Sequence, residues 1–263
     1  MSIMIHHQHA IDNLVRTYEK DDRFLALIIG GSVAKGCARP DSDVDFMMVA
    51  SDEEYLRRKD EQNFFINRTD LTDYPGGYVD GKIIDMHYLR EVSMKGNEPS
   101  RAAFDGAFLA FNRVEGLDEL IEKIRTYPVV GVEERIRSFY CMAFIQNWLM
   151  NEADRHDNFY TKARAASQLT LFAGRLILAH NRILYPYHKW LIHYLEKCQH
   201  KPKGFIDNLK QVIKSPTATN SQILFDSIRD FHDWRISDIE AYTWFLENVE
   251  LSWTHGNTPL EDL

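Results

Sequence analysis

The chain has 263 residues, 44% of them hydrophobic and 27% charged, with a net charge of −8. That is the composition of an ordinary globular protein with one large domain or two modest ones, and its acidity speaks against a long nucleic-acid partner, which calls for a basic face. No run approaches the roughly 18 apolar residues of a membrane span, the N-terminus lacks the apolar core of a signal peptide, and Cys37, Cys141 and Cys198 show no CxxC spacing, so the expectation is a cytoplasmic protein with free thiols.

Apolar side chains at Ile11, Leu14, Val15 and Tyr18 repeat at helical spacing and predict a helix over 5–20. "RFLALIIGG" reads as a buried strand stopped by Gly30 and Gly31, followed by a short helical turn or loop over 32–37. "ARPDSD" is turn chemistry and "VDFMMVA" a second strand. Ser51, followed by acids, is a helix N-cap. "YVDGKIIDMHYL" predicts a hairpin turning at Asp80-Gly81, with Ile83, Asp85 and His87 on one face of its second strand. "GAFLAFNRV" predicts another strand, and "GLDELIEKIRTY" an amphipathic helix ended by Pro128. Beyond Val132 strand-like alternation gives way to helical periods over 132–155, 159–184, 187–199, 205–214, 220–233 and 237–250. The expected fold is α/β in the N-terminal half, a small mixed sheet with helices against one face, followed by an all-α helical bundle. The expected domains are 1–128 and 129–263.

The chemistry concentrates in "IIGGSVAKGCARPDSDVDFMMV", residues 28–49. A strand that ends in Gly30-Gly31-Ser32 lets backbone approach an anion without a Cβ in the way, and the amides entering the next turn favour negative charge. The Ser32 hydroxyl adds a donor, and Lys35 a point charge one turn on. Asp43 and Asp45, at i and i+2 of a strand, face the same way and repel each other unless a cation bridges them. Hard oxygen ligands select Mg²⁺ or Mn²⁺. Asp85 is the third acid: if its strand lies beside Asp43 and Asp45, three carboxylates converge and could seat two metals roughly 3.5–4 Å apart.

These residues resemble the signature of the nucleotidyltransferase superfamily that includes DNA polymerase beta. There a Gly-Ser pair is followed about ten residues later by Asp-x-Asp, with a third Asp on a later strand. Gly31, Ser32, Asp43 and Asp45 match residue by residue, and Asp85 by position and strand context. The sequence is most similar to small bacterial aminoglycoside and lincosamide adenylyltransferases, and "LAHNRILYPYHKWL" resembles a segment of their helical C-terminal domains. The resemblance implies a metal-dependent enzyme. Asp43, Asp45 and Asp85 would hold two Mg²⁺ (or Mn²⁺), Gly31 and Ser32 the β and γ phosphates of a nucleoside triphosphate, ATP first. Tyr187 and Lys189 would add nucleotide contacts from the helical half, and Asp85 would help take the acceptor's proton.

The acceptor it implies is a small-molecule hydroxyl, an aminoglycoside- or lincosamide-like antibiotic, which a chain of this acidity suits if the acceptor is cationic. Antibiotic resistance would follow from such chemistry. No membrane and no long nucleic acid are expected as partners, and a homodimer is admitted. Two alternatives are transfer to a protein hydroxyl, as in toxin–antitoxin-type members, and a non-catalytic nucleotide-sensing protein. Elsewhere, His6, His7 and His9 read as surface histidines, His87 as a satisfied strand histidine, and Trp148, Trp234, Trp244 and Trp253 mostly as helical core.

Overall fold

The computed structural model describes residues 3–256 and 258. The chain divides into two compact units, Met1–Thr126 and Tyr127–Leu263. The expected fold class is the one observed: a five-stranded mixed sheet with helices, then a run of helices.

In the first unit α1 (Ile5–Tyr18) leads into β1 (Phe24–Ile29), the one-turn helix α2 (Gly31–Ala34) and β2 (Val44–Ala50). Then come α3 (Asp52–Asp60), β3 (Phe65–Arg68), β4 (Val79–Ile84), α4 (Met86–Lys95), α5 (Glu98–Ala102), β5 (Phe108–Asn112) and α6 (Leu117–Arg125). The strand order is β3-β4-β2-β1-β5. Only β2 and β4 run parallel; the other neighbours are antiparallel.

Both faces of the sheet are covered, not one. Val44, Phe46 and Met48 alternate onto the face that packs on Ala10, Ile11 and Leu14 of α1. Ala26, Ile28 and Val49 pack on the opposite face against Leu89 of α4 and Leu117, Ile121 and Ile124 of α6. Alternation along each strand makes this possible, because consecutive side chains point to opposite faces. Ser51 caps α3 as its position predicts, its hydroxyl accepting from the Glu54 amide at 3.3 Å.

The expected hairpin at Asp80-Gly81 is absent. Both residues lie inside β4, between β3 and β2. Gly81 is there for space: a Cβ would come within 2.1 Å of the Phe46 ring, its register partner on β2. The residues after Ile84 do not continue a strand. Asp85 is the N-cap of α4, its carboxylate accepting from the Tyr88 amide at 2.7 Å.

The second unit is helical: α7 (Val132–Arg155), α8 (Phe159–His180), α9 (Leu191–Lys197), α10 (Phe205–Lys214), α11 (Ala218–Arg229) and α12 (Asp238–Phe245). Its core runs through Phe139, Tyr140, Leu169, Leu176, Leu195, Leu209, Phe225 and Ile228. The helical period expected from 187 starts later: Tyr187 has φ +72°, and a 3₁₀ turn over His188–Trp190 precedes α9. No described helix is long and apolar enough to cross a membrane. The three cysteines are free thiols, and burial pushes Cys141 and Cys198 up to about 11, which makes them inert as nucleophiles.

Candidate active site

The site is built at one end of β2. The chain leaves β1 through Gly30, whose amide donates to the Asp45 carbonyl at 2.9 Å, and enters α2 at Gly31. Gly31 has φ +61°, a left-handed conformation that favours glycine. A Cβ there would lie 1.8 Å from Asp45 Oδ2. The Asp45 carboxylate therefore rests directly against the backbone that opens α2, where the first amides have no intrahelical acceptor. Ser32 is nearly buried and Lys35 ends the turn, its Nζ donating to the Ala102 carbonyl at 3.4 Å. Gly31, Ser32 and Asp45 are thus brought together by a strand, a turn and a strand close in sequence.

The acid that the strand register sets beside Asp45 is Asp80, while Asp85 lies past the end of β4. In the parallel β2–β4 pairing Asp45 sits opposite Asp80, Val44 opposite Val79 and Phe46 opposite Gly81. Register partners on neighbouring strands share a face, so Asp43, Asp45 and Asp80 project from the same side. Tyr78 registers this crowding. Its hydroxyl bonds the Asp43 carboxylate, and this bond with the charge of Asp43, followed by burial and the charges of Asp80 and Asp45, holds the phenol above its usual range. Asp85 lies five positions further along, about 16 Å at the rise of a strand. Its neighbours there are the amide of Tyr88 and the ring of Tyr55, whose pKa burial and then the Asp85 charge raise. Asp85 is an N-cap at the end of β4 opposite to Asp80, so the expected convergence of Asp43, Asp45 and Asp85 is not what the strand register shows.

The expectation for the N-terminal histidines also fails in part. His9 is exposed and pairs with Asp73 at 3.0 Å, but His7 is fully buried. Its Nε2 donates to the Ser42 carbonyl at 3.0 Å, and the Tyr74 hydroxyl donates to the same oxygen at 2.7 Å. The two rings, with His6 stacked edgewise at 4.2 Å from His7, form a clamp on the turn that delivers Asp43. The signal was present in the sequence: His7, Ile11 and Leu14 are spaced i, i+4, i+7 on the buried face of α1.

Burial first, and then His6, hold His7 below its ordinary value, so the neutral ring is the folded form. The sign follows from linkage. Below about 6.5 the unfolded chain binds a proton that the folded chain refuses, so this contribution to stability is present above 6.5 and is lost as pH falls toward the depressed folded value. Thermal melts should show the midpoint falling below pH 6.5. His7→Gln, which keeps an N–H for Ser42 but cannot titrate, should flatten that slope relative to the wild type, and His7→Ala should cost about 2 kcal/mol. Equal slopes in wild type and His7→Gln would separate His7 from the effect.

Tyr187 and Lys189 belong to the second unit. Tyr187 is 59% exposed and stacks edgewise on His188, and the Lys189 ammonium lies 5.6 Å from the centre of the Trp190 ring.

The donor set is hard oxygen in kind: carboxylates on one strand face beside the turn at Gly31 and Ser32. Among the described residues no three His, Cys, Asp or Glu side chains are gathered into a ready-made metal cage.

Residues 13–74 match the nucleotidyltransferase domain family. The matched span contains Gly31, Ser32, Asp43 and Asp45 and stops short of Asp80, whose place rests on the strand register alone. No curated protein matches the chain. Among solved structures it is similar to a nucleotidyltransferase-like protein from Exiguobacterium sibiricum 255-15, at 9% identity and a TM-score of 0.49, over 95% of this chain and 79% of that one.

Proposed function

We propose that the protein transfers a nucleoside monophosphate, AMP from ATP first, to a hydroxyl of a small acceptor. The observation that carries the reading is the register pairing of Asp45 with Asp80, beside Asp43 and the Gly31-Ser32 turn. The match of residues 13–74 to the nucleotidyltransferase domain supports it.

In this reading the backbone of Gly31 and the hydroxyl of Ser32 hold the β and γ phosphates, with Lys35 as a further cationic contact. Asp43, Asp45 and Asp80 would hold the divalent cation. Mg²⁺, or Mn²⁺ in its place, supplies charge neutralisation at the phosphates when bound. The acceptor oxygen forms a bond to the α phosphorus, the bond to the bridging oxygen breaks, and pyrophosphate leaves. In the same reading Asp80 would receive the hydroxyl proton. The protein's contribution is positioning and preorganised charge. The net charge of −8 favours a cationic acceptor of the aminoglycoside or lincosamide kind.

The test uses ATP, GTP, CTP and UTP labelled at the α phosphate, with Mg²⁺ or Mn²⁺, against aminoglycosides, lincosamides and the protein itself. Metal-dependent pyrophosphate release with label on a small acceptor is the expected result. Label on protein would replace the small acceptor by a protein hydroxyl. Nucleotide binding without pyrophosphate release in any combination would leave a sensor and not a transferase.

A further inference from the structure

The helix α10 buries one stripe, Phe205, Leu209 and Val212, against the core of the second unit. Ile213 lies off that stripe and is 51% exposed. A single exposed isoleucine calls for no explanation, but this one has apolar company. With Leu171 of α8 and Leu191 and Ile192 of α9 it lines a groove of about 350 Å³, with Leu209 beneath. That volume lies within the range of small-molecule sites, about 300–1,000 Å³. Leu171 and Ile192 are only half-buried, so with Ile213 they leave apolar surface open along the groove.

The polar part of the lining carries one sign. Ser167, Gln168 and Thr170 are neutral; the cations are Lys210 and Lys214, with His188 near them. No carboxylate lines the groove, in a chain whose net charge is −8. Lys210 and Lys214 stand four residues apart on α10, a spacing at which like charges on a helix repel. Glu196 offsets one of them, its carboxylate 3.2 Å from the Lys210 ammonium. The Lys214 ammonium has no ion pair among the described residues. A lysine in the last turn suits the helix dipole, but the dipole asks for no apolar groove beside it.

We infer that this groove binds a small amphipathic monocarboxylate, its hydrocarbon body on Leu171, Ile192 and Ile213 and its anionic head against Lys214 and Lys210. The apolar surfaces supply affinity as they leave water. The lysines supply the choice of an anion over a neutral molecule of the same shape. The inference is independent of nucleotidyl transfer: it concerns residues of the helical unit alone and is read by binding.

The probes are octanoate and 1-octanol, one chain with and without a charge, and butyrate, the charge on half the chain. Each is titrated into the full-length protein by ligand-observed NMR at low ionic strength, without nucleotide or metal. Octanoate should bind about tenfold more tightly than octanol, and butyrate at least about tenfold more weakly than octanoate. Lys214→Met keeps the aliphatic stem and removes the charge. It should cut the preference for octanoate to about threefold or less and leave octanol unchanged, whereas Lys214→Arg should keep the preference. Ile213→Ser should weaken both eight-carbon probes by about fivefold. Lys214 and Ile213 are exposed, so these variants should melt with the wild type. Ile239→Ser, at an exposed position on α12 outside the groove, should change no probe. Equal binding of octanoate and octanol by the wild type, or no binding of either, overturns the inference. So does a preference that survives Lys214→Met, or binding that Ile239→Ser weakens and Ile213→Ser does not.

Discussion

Asp80→Asn is expected to lower nucleotidyl transfer by about a thousandfold, whereas Asp85→Asn should leave the rate within about threefold of the wild type, because asparagine caps a helix as well as aspartate does. The contrast follows from one pairing. Asp45 and Asp80 are register partners on parallel strands and share a face, while Asp85 sits beyond Ile84 with its carboxylate on the Tyr88 amide. Both substitutions are nearly isosteric, so circular dichroism should report the wild-type fold in each. Asp45→Asn belongs with Asp80→Asn: the fold is kept and the transfer lost. Steady-state pyrophosphate release checks all three. A rate that collapses in Asp85→Asn and survives in Asp80→Asn would reverse the assignment.

Gly31→Ala should damage both stability and transfer. Gly31 combines φ +61° with a Cβ position 1.8 Å from Asp45 Oδ2, so the variant must strain its backbone and also push away the carboxylate. The expected loss is about 3 kcal/mol of stability, with transfer falling by about a hundredfold as Asp45 is displaced. Its neighbour provides the control. Gly30 has an extended backbone that any residue adopts, and a Cβ there would meet only the Ala103 carbonyl at 3.7 Å, an ordinary contact. Gly30→Ala should therefore melt within about 1 kcal/mol of the wild type. Chemical denaturation of the two variants side by side decides the matter. Equal destabilisation would mean that the approach of Asp45 to Gly31 is not what requires glycine.

The parts of the site legible in the sequence are those made by neighbours in the chain. Gly31, Ser32 and Asp45 meet because a strand, one helical turn and a second strand are joined by short connections, so local spacing carries the geometry. The same holds for the Ser51 cap and for α7, whose limits at 132 and 155 follow from helical periodicity.

The placing of Asp80 beside Asp45 was not legible because its reason is not local. Asp-Gly is a strong hairpin signal, but Gly81 is glycine because the ring of Phe46, on another strand, occupies the place of its side chain. Once Asp80 is taken for a turn, Asp85 is the next acid along and inherits the role. A cue was available in "DMHYLREV", where an acid precedes residues of helical period, as an N-cap does. His7 was misjudged by composition: three histidines in four residues look solvated, while their helical phase puts one of them against the sheet.

The central claim is that Asp43, Asp45 and Asp80 share one divalent-cation and triphosphate site. Titration of Mn²⁺ with ATP into the protein, followed by electron paramagnetic resonance, reads that site without needing the acceptor. The account predicts saturable Mn²⁺–ATP binding by the wild type and by Asp85→Asn, weakened about tenfold or more in Asp80→Asn and in Asp45→Asn. Binding that is unchanged in Asp80→Asn, or lost in Asp85→Asn alone, would contradict it.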